Sequence, residues 1–352
     1  MRIAPQPLQQ LVAAIFSQCG SSAQEAHDIS AHLVRANLVG HDSHGVIRTP
    51  IYVGWQREGK VHANKQLDIV FDGGALALCD GQLGYGQSIG KQAVELGLKK
   101  CREHGAAAIA LRNSAHLGRI GHWAEQAADA GCVSLHFVNT SGLGMFVVPA
   151  GGIDKRMSVN PVTMGVPVPD RPHVVLDMAA AAAAEGKLKV ARNKGVAVPD
   201  NWILDADGNP TNDPNEFYGP PMGAILPIAG HKGSGLCFMV EMLAGALTGS
   251  GCSSPGKTLL EQGMLSIFID QRQMPLDDFF GSEVTRYIDF VKSSRTATGD
   301  GEILVPGEVE ARNERERREL GIELDDTTIQ QIVDTASAAD VEASLIDAVN
   351  ET

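Results

Sequence analysis

The stretch GHDSHGVIR, Gly40 to Arg48, holds two histidines three residues apart, an aspartate, a serine, and an arginine four residues beyond the second histidine. His41 and His44 could pair on a divalent metal. Such a site takes three or four ligands, and neither an HExxH helix nor a cysteine partner accompanies them, so no metal is expected. Read as one helix, His44 and Arg48 share a face. A proton donor beside a guanidinium suits a substrate with both a carboxylate and a reactive oxygen, because arginine grips carboxylates with a bidentate fork. A capped helix start with solvated charges is equally consistent with this stretch alone.

Four other stretches carry groups of the same kind. NSAHLGRIGHW (Asn113–Trp123) sits where a strand hands over to a helix, the location at which open α/β sheets bind ligands. Asn113 or Ser114 could cap that helix, with His116, Gly118 and Arg119 in its first turn. VVLDMA (Val174–Ala179) reads as an apolar strand ending in Asp177. That carboxylate could cap a helix or orient an imidazole, and the sequence favours the cap. HKGSG (His231–Gly235) opens a strongly apolar helix. Its free N–H groups and Lys232 suit a phosphate or carboxylate, and its glycines equally suit close packing. GYGQSIG (Gly84–Gly90) is one residue off the dinucleotide-binding fingerprint. The strand after it ends in Arg112 and Asn113, with no acid to hold a ribose, so it is read as an ordinary turn and helix start.

The elements that must carry these groups change character along the chain. Residues 1–70 read as a helical segment. PLQQLVAAIF is periodic, Ser22 and Glu25 have capping-box spacing, and a third helix is expected through SHGVIRTPIYVGWQREG. Residues 71–284 alternate strands and helices, which predicts an α/β domain with an inserted lobe around 151–230, rich in Gly and Pro. Residues 285–352 are helical and charged, broken by the extended EILVPGEVE. The alanine run Ala179–Ala184 reads as small-residue packing or a loop.

The 352 residues carry a net charge of −13, opposite in sign to what a nucleic-acid or anionic-membrane binder uses. Neither partner is expected, and any anionic ligand must meet local cations. The six cysteines are scattered without a CxxC, as for free thiols in a reducing compartment. With no signal peptide or spanning segment legible, the expected location is cytoplasmic.

The blocks GHDSHGVIR, NSAHLGRIGHWAEQAADAG, NPVTMGVP, VVLDMA, GKLKVARNKGVAVPDNWILDADGNPTNDP, HKGSGLCFMVEMLAGALTG and ILVPGEVEARNERERRELGIEL occur in this order. Together they resemble the type-2 malate/L-lactate dehydrogenase family over nearly the full chain. The resemblance implies an α/β fold that is not a Rossmann fold, with a large mixed sheet and helical N- and C-terminal segments packed together. It implies a homodimer with the active site near the subunit interface, and an oxidoreductase that uses NAD or NADP on 2-oxo and 2-hydroxy acids. His44 would be the proton donor and acceptor, supported by Ser43 and Asp177, with a pKa near the ordinary ~6.5. Arg48 would face the substrate carboxylate, and His116 is a second acid–base or substrate-binding candidate. Cofactor contacts carry over to His44; to Gly118, Arg119 and Ile120; to Val175, Leu176, Asp177, Met178 and Ala179; to His231, Lys232 and Gln262; and to Gly307, Glu308, Val309 and Glu310. His41 is left as an incidental turn residue. Three departures bear on preference: His231 replaces an aromatic, alanines follow Asp177 where relatives often have Thr-Ser, and Gln262 replaces an asparagine. A cyclic imine reductase, or a nucleotide-binding protein without catalysis, are the alternatives.

Overall fold

The computed structural model describes residues 1–297 and 301–350. The chain starts with β1 (Arg2–Ile3), α1 (Pro5–Gln18), α2 (Ala23–Leu38) and α3 (Thr49–Arg57). Proline opens α1, where its missing N–H costs nothing. Ser22 caps α2 by accepting the Glu25 N–H, as its spacing predicts. Glu25 does not complete the box; its carboxylate takes the Asn64 N–H at 2.9 Å instead.

The sheet region follows with β2 (Asp68–Gly73), β3 (Leu76–Asp80), α4 (Gly86–His104), β4 (Ala106–Ser114), α5 (Gly121–Asp129), β5 (Val133–Gly142), β6 (Pro161–Val166) and β7 (Val174–Ala179). The lobe after it contains α6 (Glu185–Lys194), β8 (Ile203–Leu204), β9 (Pro210–Thr211), α7 (Pro214–Tyr218), β10 (Ala224–Ile225) and α8 (His231–Val240), which runs on as one π-helical turn, Glu241–Ala246. The chain then returns through β11 (Leu260–Ile269) and α9 (Phe279–Lys292). It finishes with α10 (Glu308–Leu320), β12 (Ile322–Glu323), α11 (Asp326–Ser337) and α12 (Ala343–Asn350).

Seven strands form one mixed sheet in the order β2-β3-β4-β11-β5-β6-β7. β3 and β4 run parallel and every other neighbouring pair is antiparallel. β11 lies between β4 and β5, so the strand–helix alternation legible in the sequence does not build a doubly wound parallel sheet. Strand β4 and helix α4 share one core, in which Ile89, Val94, Ile109, Leu111, Trp123 and Phe268 are buried.

Both ends of the chain share another core. Leu8, Leu11, Ile15 and Phe16 of α1 and Ile29 and Leu33 of α2 pack with Ile322, Ile329, Ile332 and Val349. β1 pairs antiparallel with β12. Each such aliphatic side chain contributes about 1.5–3 kcal/mol when fully buried, so the C-terminal segment is anchored to the N-terminal helices. Among the described residues, no helix is long and apolar enough to cross a membrane.

Two local expectations fail. The third helix does not run through the histidine stretch: Asp42–His44 and Val46–Arg48 are separate 3-10 turns, divided at Gly45, and the α-helix begins at Thr49. Neither Asn113 nor Ser114 caps α5, whose N-cap is Ile120. Ser114 ends β4, and His116, Gly118 and Arg119 lie in the irregular connection before the helix. Gly118 has φ +73°, and a Cβ there would stand 2.3 Å from His32 Nε2, so this connection needs glycine.

Candidate active site

The loop after α2 is shaped by polar side chains rather than by a helix. Asn37 accepts the Val46 N–H at 2.8 Å and donates to Asp42 Oδ1 at 2.6 Å. Arg317 of α10 donates to both carboxylate oxygens of Asp42 and to the Asn37 carbonyl. His41 Nε2 lies 3.2 Å from Glu310 Oε1, so His41 is a bridge to α10 and not an incidental turn residue.

These contacts fix Ser43, His44 and Arg48. The Ser43 hydroxyl lies 2.9 Å from His44 Nδ1, as the resemblance implies. Arg48 is not brought to His44 along a helix face. Its Nε donates to the Ser43 carbonyl at 2.6 Å, which folds the guanidinium back over the loop. A Cβ on Gly186, in the first turn of α6, would stand 2.8 Å from Ser43 Cβ and 3.8 Å from Arg48 Nη2. The inserted lobe therefore closes directly on this pair.

His116 arrives from the other side. Its ring stacks on that of His44, with centroids 5.5 Å apart and planes 25° apart. Its Nδ1 meets the Tyr52 hydroxyl at 2.5 Å. Gln87 Nε2 donates to that hydroxyl at 3.2 Å and to the His116 carbonyl at 3.1 Å. Helix α4 reaches this point because Gly86 has no side chain: a Cβ would stand 2.2 Å from the His116 carbonyl oxygen. GYGQSIG is thus the packed helix start its spacing predicts. Gln262 accepts the Leu117 N–H at 2.6 Å and donates to Thr140 Oγ1 at 2.8 Å, so its amide holds this connection to β11 and β5.

Burial lowers the His44 pKa well below the ordinary imidazole value, helped by His116 and then Arg48. His116 is pushed down to about 3 by burial, with Arg48 adding to it. Both rings are neutral at neutral pH, which corrects the expectation that His44 titrates near its ordinary value.

Among the described residues, no hydrogen bond joins Asp177 to His44. Its Oδ2 accepts the Gly121 N–H at 2.8 Å, at the first turn of α5, and its Oδ1 accepts from Thr163 Oγ1 at 2.9 Å. It is a helix cap, as the strand-end reading favours, but for a helix 56 residues earlier. Arg119 lies beside it, 2% exposed, with Nε 3.6 Å from Asp177 Oδ2 and Nη2 2.7 Å from Glu125 Oε1. Its Nε and Nη1 are buried without a hydrogen bond.

The residues expected to hold a cofactor fall into separate groups. Gly118, Arg119 and Ile120 gather with Asp177. Gly307 lies against His173 and Val175, and the Val175 N–H donates to the Pro306 carbonyl at 3.2 Å. Val175, Gly307 and Glu310 line a cavity of about 670 Å³ together with Arg35, His122, Arg171 and Arg315. Glu308 is occupied, by Lys292 and by the Val305 N–H, and Val309 is exposed. Leu176, Met178 and Ala179 are half-buried along β7. His231 and Lys232 are exposed at the start of α8. The approach to α8 is pinned to the alanine run: the Ile228 N–H donates to the Ala180 carbonyl and the Ala182 N–H to the Leu226 carbonyl. Ala180, Ala181 and Ala183 are buried in the lobe's core, as small-residue packing predicts. Tyr52, Gln87, Asn37 and Arg317 were not singled out by sequence. Tyr52 sits four residues beyond Arg48 and Gln87 lies inside GYGQSIG, but neither spacing alone reports a contact with His116.

Two stacked imidazoles near a guanidinium, with a buried arginine that has two unbonded donors, are groups suited to acid–base chemistry on a small anionic molecule. Residues 3–333 match the malate/L-lactate dehydrogenase family, and the chain belongs to that family of oxidoreductases. It is 40% identical over 341 residues to hydroxycarboxylate dehydrogenase B of Escherichia coli strain K12, covering 95% of this chain and 93% of that protein. The solved structure of an E. coli protein described as a malate/lactate dehydrogenase superposes with a TM-score of 0.95 at 37% identity, covering 100% of this chain and 99% of that one. That of Δ1-piperideine-2-carboxylate reductase from Pseudomonas syringae does so with a TM-score of 0.82 at 28% identity, covering 95% and 99%.

Proposed function

We propose that the protein is an NAD(P)-dependent dehydrogenase that interconverts 2-oxo and 2-hydroxy carboxylates of the malate, lactate or hydroxyphenylpyruvate type. The observation that carries this reading is the seating of Arg48 over Ser43, close enough that its charge lowers the pKa of both His44 and His116. A guanidinium and two stacked imidazoles thus lie together, the set of groups that a carboxylate with an adjacent carbonyl requires.

The chain's own groups fit a nicotinamide dinucleotide. Arg119 has two buried donors without partners, and the adjoining cavity is lined by Gly307 and Val175. Gly118 to Ile120, Val175 to Ala179 and Gly307 to Glu310 would hold the cofactor, with His231, Lys232 and Gln262 as further contacts. When bound, such a cofactor supplies or accepts the hydride. Arg48 grips the substrate carboxylate and so aims the neighbouring carbon. His44 exchanges a proton with the 2-oxygen through Nε2, while the Ser43 hydroxyl holds its Nδ1. Asp177 acts at one remove, by capping α5 and neutralising Arg119.

The likeness to a piperideine-carboxylate reductase favours a second reading, reduction of a cyclic imine that also carries a carboxylate. A panel of 2-oxo acids and a cyclic imine carboxylate, each with NADH and NADPH, read by loss of the reduced cofactor's absorbance, tests both. Turnover of an oxo acid supports the dehydrogenase. Turnover of the imine alone replaces it with the second reading, and tight cofactor binding without turnover would point to a non-catalytic nucleotide binder. We also propose a cytoplasmic homodimer with the site near its interface; Phe238, Met239 and Leu247, exposed on α8 and just beyond its π turn, supply an apolar surface for it. Sedimentation of the purified chain tests that assembly.

A further inference from the structure

Two histidines face the site, and the hydrogen bonds behind one of them decide what it can do. The His116 backbone carbonyl has no freedom of role: it can only accept. Gln87 lies 3.1 Å from it, so the nitrogen of the Gln87 amide must face it. The same NH2 group lies 3.2 Å from the Tyr52 oxygen and donates its second hydrogen there. Tyr52 therefore receives one bond and has one proton to give. Its hydroxyl lies 2.5 Å from His116 Nδ1. With a donor on its other side, the phenol gives its proton to Nδ1, which must then be an unprotonated acceptor. In a neutral imidazole with Nδ1 bare, the proton is on Nε2.

We propose that Tyr52 and Gln87 are positioning residues that lock His116 as the neutral Nε2–H tautomer, so that His116 donates a hydrogen bond to the reacting substrate oxygen and takes no part in proton exchange. The role at the substrate oxygen rests on the oxo-acid reading above; the tautomer does not.

The lock works in both directions. His116 cannot act as a base through Nε2, because that nitrogen already carries the proton. To become an acid it would have to be protonated on Nδ1 as well, which turns the Tyr52 contact into one between two donors. The Tyr52 proton would then have no acceptor, because Gln87 supplies only hydrogens on its other side. Tyr52 is 2% exposed, so water does not substitute. Burial pushes the Tyr52 phenol up to about 12, so it keeps its proton. The titratable or charged groups beside His116 among the described residues are His44, Arg48, Tyr52 and, on α2, the buried His32, whose own pKa is lowered well below the ordinary value, so that it stays neutral. Arg48 opposes a second positive charge on the ring. His116 Nε2 has no partner among the described residues, which leaves that donor free for a ligand. His44 differs: its Nδ1 meets a serine hydroxyl that can give or accept, so this ring can cycle between neutral and charged forms. Proton exchange then falls to His44, and a fixed donor at His116 stabilises charge on the oxygen.

The test is the tautomer itself, read without turnover. In protein labelled with 15N in histidine, long-range 1H–15N correlation spectra report which ring nitrogen is protonated, with His116 assigned by its absence in His116→Gln. The expected result is the Nε2–H form, unchanged from pH 5.5 to 8.5. In Tyr52→Phe the ring is expected to sample both tautomers, with its pKa raised from the wild-type value. An Nδ1–H form, or a charged ring within that range in the unmodified protein, overturns the proposal, as does an unchanged tautomer in folded Tyr52→Phe. In the kinetic arm, Tyr52→Phe is expected to lower kcat on a 2-oxo acid by about tenfold, with the pH midpoint of His44 in place. Failure of every oxo acid would sink the functional reading while the spectra still decide the tautomer.

Discussion

Arg317 holds Asp42 across 275 residues of sequence, its Nη1 donating to Oδ1 at 2.6 Å and its Nη2 to Oδ2 at 3.1 Å. Asp42 opens the 3-10 turn that ends in His44. The same helix α10 reaches His41 through Glu310, and Arg35 of α2 through Glu314. A helix near the C-terminus thus sets the position of a histidine near the N-terminus.

Arg317→Ala should therefore damage catalysis more than stability. The pair is partly exposed, so its loss should cost about 1 kcal/mol of folding free energy. A shift of the His44 ring by a fraction of an ångström should cost roughly tenfold or more in kcat. Arg317→Lys, a point charge without the fork, should fall between. Denaturant melts beside steady-state kinetics check this; equal, small effects on both would remove α10 from the site's geometry.

His44→Ala should reduce kcat by about 10²–10⁴-fold, the usual worth of general acid–base catalysis, with cofactor affinity nearly intact. Fluorescence titration of the reduced cofactor separates the two. Turnover like the wild type would return the proton-exchange role to His116.

The depressed His44 pKa sets a direction for pH dependence. The free site holds a neutral imidazole at neutral pH, through burial first and then through His116 and Arg48. Oxidation of a hydroxy acid needs that neutral base, so its kcat/KM should stay flat through pH 6.5 and fall only in more acidic solution. Reduction needs the charged form, so its kcat/KM should rise as pH drops below neutrality. A substrate carboxylate on Arg48 offsets a neighbouring positive charge and raises the His44 pKa. Calorimetry in two buffers of different ionisation enthalpy should show proton uptake when a non-reducible carboxylate analogue binds to the enzyme–cofactor complex. Zero uptake would reject the coupling.

Asp177→Asn should leave the pH midpoint of turnover in place, because Asp177 bonds Gly121 and Thr163 and makes no bond to His44. It should instead cost stability on the order of 3–5 kcal/mol, since one of the two carboxylates beside the buried Arg119 loses its charge. A shifted midpoint with unchanged stability would restore the direct support of His44 that the family resemblance implies.

Acid should destabilise the fold through its buried histidines. His116 and His136 are pushed down to about 3 and His122 to about 4, in each case by burial first, and His32 is lowered well below its ordinary value. Their unfolded pKa is about 6.5, so unfolding takes up protons below that pH. Stability from these groups is complete above pH 6.5 and declines as pH falls towards their folded values. Each contributes a slope of up to about 1.4 kcal/mol per pH unit. His136 sits between Ser266 and Ser134, away from the active site. Urea midpoints at pH 7.5 and 5.5 should differ less in His136→Gln than in the wild type; an equal difference would exclude His136 from the acid response.

By itself the sequence determined which groups could do chemistry. Helix periodicity and caps marked α1 and α2, the off-register glycines of GYGQSIG favoured an ordinary turn and helix start over a Rossmann site, and the ordered motifs identified the family. Ser43 against His44, and Asp177 as a cap, are contacts whose residue types can be read in the chain. Their geometry cannot, because it is made by residues far apart. Gly45 splits the supposed helix, so Arg48 meets His44 through the Ser43 carbonyl and not through helical spacing. β11 enters between β4 and β5, which places Gln262 behind the His116 connection. Tyr52 and Gln87 meet His116 only because α3 and α4 pack against that connection, and Arg317 reaches Asp42 only because both ends of the chain share one core. Local propensity acts over a few residues. The tautomer of a histidine, the pKa of its neighbour and the aim of an arginine are set by burial and by partners that only the tertiary fold brings within reach.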